Sequence, residues 1–257
     1  MNLTLVLLIC LALAGSVSVL RADEFLSNGV TIHYECAGQG EPVILIHGLY
    51  SSARINWIRP GTTAQLAGHF QVIALDNRGH GQSGKPQGDD QYGLEMVEDI
   101  VRLMDHLHIQ SAHIVGYSLG GMIALKLVTL HPDRVRSIVL GGMGWLKEGS
   151  PLQRFWEGAP ARGLSPAPPA CLHSVAKLAV TEEQVKAVRA PVAIVVGSRD
   201  PCLRLYVEPL RQIRPDWPEH IIAGAGHLNC VLMPAFKNDL EKILLQQAGA
   251  TNAPASK

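Results

Sequence analysis

The sequence predicts an α/β fold in which a mostly parallel central sheet carries helices on both faces and a small insertion interrupts the alternation. Three observations predict it. Short runs rich in Val, Ile and Leu alternate with longer runs of helical periodicity, the pattern of strand–helix–strand units. The strand runs are almost wholly apolar, as strands buried on both sides are. The chain has 257 residues, 47% hydrophobic and 17% charged, enough for one large domain with a sizeable core.

Taken in order, residues 30–36 and Pro42–Ile46 read as adjacent strands joined by a turn at Gly38-Gln39-Gly40. Residues 72–75 form a short strand. Residues 94–107 form an amphipathic helix with Val97, Ile100, Val101, Met104 and Leu107 on one face. Residues 112–115 are a strand, and Leu119–Leu130 is the helix after it. His131-Pro132 ends that helix, because proline supplies no N–H to continue it. Strands follow at 135–140, 192–196 and 217–222, with a helix over 203–213 and a last helix over 231–246. The expected domain spans residues 23–247, and the small, polar residues 248–257 form an expected disordered tail. Residues 143–189 break the alternation and hold Pro151, Pro160, Pro166, Pro168 and Pro169.

The first 22 residues stand apart. Residues 3–13 are apolar, and Ala14, Gly15 and Ser16 follow, a pattern similar to a secretory signal peptide. Cleavage would follow Ala14 or Ala22. Neither Lys nor Arg precedes the apolar run, and apolar character continues to Leu20, so a retained anchor over residues 3–20 stays open. The expected location is secreted or periplasmic, with membrane contact only if this segment is retained. Beyond Cys10 the cysteines are Cys36, Cys171, Cys202 and Cys230, which permit two disulfides or four buried thiols. Cys202 and Cys230 are the pair expected to bridge.

Chemistry concentrates at Gly116-Tyr117-Ser118-Leu119-Gly120-Gly121, between a strand and a helix. A Gly-x-Ser-x-Gly run in that context makes a tight, strained turn that holds the serine hydroxyl up at the strand end. Side chains two residues either side would collide, and Gly116 and Gly120 avoid that. His47-Gly48-Leu49 follows the strand Pro42–Ile46, and a loop there supplies one of two N–H donors for a developing oxyanion. Leu49 and Leu119 are the expected donors. Asp200 follows the strand 192–196, and His227 follows Gly224-Ala225-Gly226 after the last strand. Ser118, Asp200, His227 is the chain order of triads built on such a turn.

On these residues the sequence resembles the α/β-hydrolase fold superfamily over roughly residues 28–246. Asp76-Asn77-Arg78-Gly79-His80-Gly81-Gln82-Ser83 adds to the resemblance, and in single-domain relatives this turn shapes a loop without doing chemistry. Members that open epoxides or remove halides carry Asp where this chain has Ser118. The resemblance implies a lid at residues 143–189, in which Trp145, Leu146, Phe155, Trp156, Leu164 and Leu172 are candidates for an apolar pocket wall, Trp145 and Trp156 foremost.

The implied activity is a serine hydrolase that cleaves a carboxylic ester, or a related acyl bond, through an acyl-enzyme. The same triad would serve hydrolysis of carbon–carbon bonds, thioesters, amides or lactones, or acyl transfer. A binding protein of the same fold is the third reading. The expected partner is a small-molecule acyl substrate. No metal and no organic cofactor is implied, since the spacing shows no Cys/His cluster and no phosphate-binding loop. With 22 basic and 22 acidic residues and no basic stripe, nucleic acid is not expected as a partner.

Overall fold

The computed structural model describes residues 20–158 and 168–251. Among the described residues there are eight strands, β1 (Arg21–Ser27), β2 (Val30–Ala37), β3 (Pro42–Ile46), β4 (Gln71–Leu75), β5 (Ala112–Tyr117), β6 (Val135–Gly141), β7 (Val192–Gly197) and β8 (Glu219–Ile222). They form one sheet in the order β1-β2-β4-β3-β5-β6-β7-β8. β2 runs antiparallel to both its neighbours, and all pairs from β4 to β8 are parallel.

The helices are α1 (Thr62–Leu66), α2 (Leu94–His106), α3 (Leu119–Leu130), α4 (Pro151–Glu157), α5 (Pro169–Ser174), α6 (Glu182–Ala187), α7 (Glu208–Ile213) and α8 (Pro234–Thr251). Alternate strand residues feed two separate cores. Ile44, Ile46 and Ile114 pack with α2 and α3 on one face, while Val43, Leu45 and Val115 pack with α1 and α8 on the other. Because both faces of β3 and β5 are buried, a one-residue slip would exchange every contact, and the register is fixed. Burying each such Ile or Leu contributes roughly 1.5–3 kcal/mol.

Several sequence expectations change. β2 and β3 are not neighbours, because β4 lies between them. Gly38-Gln39-Gly40 is therefore a crossover rather than a hairpin turn. It runs so close to the end of α1 that a Cβ on Gly38 would sit 2.1 Å from the Phe70 carbonyl oxygen. The true hairpin lies earlier, where β1 and β2 meet across Asn28-Gly29, both with positive φ. This is the two-residue turn whose twist matches the strands.

β1 begins at Arg21, paired with Cys36, so the folded unit starts before residue 23. Cleavage after Ala22 would remove two residues of β1, and cleavage after Ala14 leaves it whole. The expected signal peptide or anchor lies otherwise outside the described residues. No described helix is long and apolar enough to cross a membrane. The last helix starts at Pro234, after a 3-10 turn at Cys230–Leu232, and continues to Thr251. Helix thus replaces the first part of the expected tail, and residues 252–257 lie outside the described residues.

The Asp76–Ser83 turn is built as scaffolding. Asp76 accepts from the Ala53 and Gln82 N–H groups, both at 2.8 Å. Arg78, with its side chain fully buried, donates through Nε and Nη2 to the two oxygens of Asp99 on α2, each at 2.6 Å. Removing Asp99 would leave the buried Arg78 guanidinium with only the part-buried Glu95 carboxylate, at 3.4 Å, and the Gln91 carbonyl, at 2.8 Å, as partners. Asp99→Ala is expected to cost about 3–5 kcal/mol of stability, read as a lower denaturation midpoint. A loss below about 1 kcal/mol, the range of exposed pairs, would contradict that account.

Candidate active site

Four loops converge at the carboxyl ends of neighbouring parallel strands. The β3–β5 register sets Ile46 beside Gly116, which brings Gly48 against Ser118. A Cβ on Gly48 would lie 3.2 Å from the Ser118 Cβ. The β7–β8 register sets Gly197 beside Ile222, and the Arg199 N–H donates to the Ala225 carbonyl at 2.8 Å. That bond draws the loops of Asp200 and His227 together.

Ser118 has φ 53° and ψ −117°, a conformation that a side chain rarely adopts. The turn is held by the Ser118 N–H donating to Gly141 and the Gly121 N–H donating to Ser118, both at 2.8 Å. The expected collisions are real: a Cβ on Gly116 would stand 2.0 Å from the Gly120 carbonyl oxygen, and one on Gly120 2.1 Å from that of Ile46.

The structure brings Ser118, His227 and Asp200 together in that order. Ser118 Oγ is 2.9 Å from His227 Nε2, and His227 Nδ1 is 2.9 Å from Asp200 Oδ2 and 3.1 Å from Oδ1. The Asp200 side chain is fully buried, while that of His227 is 28% exposed and reachable from the cavity. Tyr117 donates its hydroxyl to the His227 carbonyl, and the Asn229 side chain accepts from the Gly226 N–H, so the histidine loop is tied at two points. Burial pushes the Tyr117 phenol well above its ordinary range, which keeps it a neutral donor. Glu148, the nearest carboxylate after β6 in sequence, is exposed.

The two expected oxyanion donors flank the serine. Leu119 opens α3, and Leu49 follows Gly48. Among the described residues no backbone carbonyl takes either N–H. The loop before Leu49 is fixed from beneath: the Gly48 N–H donates to Asn56 Oδ1 at 2.9 Å. His47 Nδ1 donates to the Gly48 carbonyl at 2.7 Å, and its Nε2 accepts from the Asn77 N–H at 3.0 Å. Burial pushes His47 down to about 4, so the ring is neutral at pH 7 and holds this pattern.

A cavity of about 240 Å³ opens above the serine. Leu49, Met122, Met143, Trp156, Tyr206 and Leu228 supply most of its apolar wall, with Ser118, Cys202 and His227 at its floor. Among the described residues, Trp156 is the one expected wall residue that lines it; its Nε1 donates to the Tyr206 hydroxyl at 3.2 Å. Trp145 does not. It is buried in the core, and its Nε1 donates to the Val180 carbonyl at 2.7 Å, so the indole packs the insertion onto the sheet. Leu146 and Leu172 are likewise buried, Phe155 is 60% exposed, and Leu164 lies outside the described residues. A second surface groove, near Met104 and Arg134, contains no serine, and Arg134 is committed to Asp105.

The four cysteines among the described residues are free. The expected Cys202–Cys230 bridge fails because the two side chains serve opposite faces. Cys202 packs with the α2–α3 core and lies 3.6 Å from His227 Nδ1, whereas Cys230 belongs to the α8 core. The expectation of no metal-type cluster also changes: donor atoms of Asp200, Cys202 and His227 lie within 4.8 Å of one another. Distance along the chain hides that grouping.

Comparison with known proteins agrees with this architecture. Residues 41–162 match the family described as the alpha/beta hydrolase fold. The 2-hydroxymuconate semialdehyde hydrolase of Pseudomonas sp. strain CF600 is 39% identical over 124 residues, covering 46% of this chain and 42% of that protein. Among solved structures, the 2-hydroxy-6-oxo-6-phenylhexa-2,4-dienoate hydrolase of Rhodococcus sp. strain RHA1 aligns with a TM-score of 0.70 at 22% identity, covering 90% of this chain and 99% of that one. A carboxylesterase structure from the thaumarchaeon Nitrososphaera gargenis aligns with a TM-score of 0.70 at 19% identity, covering 90% and 98%. The chain has the α/β-hydrolase fold, and its residues 41–162 match that family. It spans less than half the length of such curated relatives in the matched region, and the structural likenesses at these identities carry the fold alone.

Proposed function

We propose that the protein is a serine hydrolase that cleaves a neutral carboxylic ester through an acyl-enzyme. One observation carries the reading: the Ser118 hydroxyl lies 2.9 Å from an imidazole nitrogen whose other nitrogen rests on a buried carboxylate. His227 takes the Ser118 proton as Oγ attacks the carbonyl carbon, and Asp200 holds the tautomer and stabilises the imidazolium. The N–H groups of Leu49 and Leu119 receive the oxyanion, and each is worth roughly 3 kcal/mol of barrier. His227 returns the proton to the leaving alcohol, then activates water to release the acid.

The cavity supports an ester of modest size. Among its described lining residues there is no Lys or Arg to pair with a carboxylate. The dienoates named for the relatives above are acids, so a neutral substrate suits this wall better. A panel of chromogenic esters of graded acyl length, beside an amide, a lactone and a dienoate, tests the reading. Ester turnover should exceed the others, and preferred turnover of the dienoate would replace it with carbon–carbon bond hydrolysis.

On this reading Trp156, which lines the cavity, serves as wall for the acyl chain. Trp156→Ala is expected to change kcat/KM for long acyl chains about tenfold relative to acetate. Equal loss across all chain lengths would assign Trp156 to packing.

A further inference from the structure

We propose that Asp200, Cys202 and His227 form an inhibitory site for a thiophilic divalent cation such as Zn2+, which disables the base by occupying His227 Nδ1. The inference rests on the assignment of His227 as the base of Ser118. Cys202 sits two residues beyond Asp200, where its own N–H donates to Asp200 Oδ1 at 2.8 Å. That bond turns the chain so that the thiol points back at the imidazole, with Sγ 3.6 Å from Nδ1.

A tetrahedral Zn2+ bound at about 2.3 Å to sulfur and about 2.0–2.1 Å to nitrogen sets S···N at roughly 3.6 Å. The observed separation already has that value. The same geometry places nitrogen and carboxylate oxygen roughly 3.3–3.4 Å apart. Asp200 Oδ1 and Oδ2 stand 3.1 and 2.9 Å from Nδ1, so the carboxylate has only a few tenths of an ångström to open. Thiolate, imidazole and carboxylate together are the donor set of zinc. Cys202 and His227 both line the cavity, which gives the ion its path in and leaves a fourth position for water.

The consequence follows from proton bookkeeping. In the working state Nδ1 carries the proton, donated to Asp200, and Nε2 offers its lone pair to Ser118. A cation on Nδ1 sends that proton to Nε2 and releases the Cys202 thiol proton to solvent. Nε2–H then faces Ser118 Oγ and cannot accept its proton. The ion therefore silences the enzyme without touching the serine.

Two measurements on the purified full chain decide the matter. Titration with Co2+ should raise a thiolate-to-cobalt charge-transfer band at one equivalent, and Cys202→Ser should lose it. Zn2+ should inhibit ester hydrolysis, with recovery on adding a chelator. The half-inhibiting concentration should rise about tenfold or more in both Cys202→Ser and Cys202→Ala, each normalised to its own metal-free rate. Absence of the cobalt band in the unaltered protein, or equal half-inhibiting concentrations in all three proteins, overturns the proposal. If no ester is turned over, the ester-hydrolase reading fails on its own, and the cobalt titration still reads the site.

Discussion

Ser118→Ala is expected to reduce ester turnover roughly a millionfold, to the level left by the oxyanion donors and substrate binding alone. The backbone has no reason to change. The Ser118 N–H still bonds to Gly141, Gly116 and Gly120 still admit the close turn, and alanine tolerates φ 53° no worse than serine does. Thermal unfolding should therefore match that of the unaltered protein while kcat collapses. Retention of more than about one percent of turnover would place the nucleophile elsewhere.

Asp200→Asn is expected to lower kcat by about four orders of magnitude with little change in KM. The substitution keeps shape and volume but reverses the hydrogen bond. An amide N–H facing His227 Nδ1 favours the tautomer with the proton on Nε2, which is the nitrogen 2.9 Å from Ser118 Oγ. The imidazole then donates where it must accept. The buried carboxylate that would balance the imidazolium is also gone. Near-normal turnover in this variant would move the acid role away from Asp200, and Glu148 would be tested next.

Much of this arrangement is legible in the sequence because it depends on local chemistry. Gly116 and Gly120 are required by carbonyl oxygens about 2 Å from where a Cβ would sit, so the tight turn writes itself into residue types. Parallel strands end where their apolar runs end, which is why Ser118, Asp200, His227 and Leu49 are placed by simple succession. Strand neighbours are less legible. β2 and β3 are consecutive in sequence, and only the position of β4 shows that they are separated. The hairpin signal at Asn28-Gly29 is present, but the charges of Arg21, Asp23 and Glu24 on the exposed edge strand mask it.

Side-chain direction is the least legible feature. Composition cannot separate Trp145, which packs the core, from Trp156, which lines the cavity above Ser118. Both are apolar aromatics in the same insertion, and the difference is a hydrogen bond to Val180 in one case and to Tyr206 in the other. Cys202 and Cys230 lie on loops that the catalytic geometry does bring together, yet their thiols point to opposite faces of the sheet. Asn56 and Tyr117, which brace Gly48 and His227, carry no sequence signal of those roles, since each acts through a backbone group distant in the chain.

The proposed hydrolysis stands on Ser118 as the activated nucleophile of the chain. Treatment with a fluorophosphonate probe, followed by peptide mapping, tests it most directly, because the probe reports on whichever hydroxyl an adjacent base has made reactive. The expected result is one adduct per chain on Ser118, lost in Ser118→Ala and strongly slowed in His227→Ala. An adduct on Ser83 or Ser198, or labelling that survives Ser118→Ala, would contradict it.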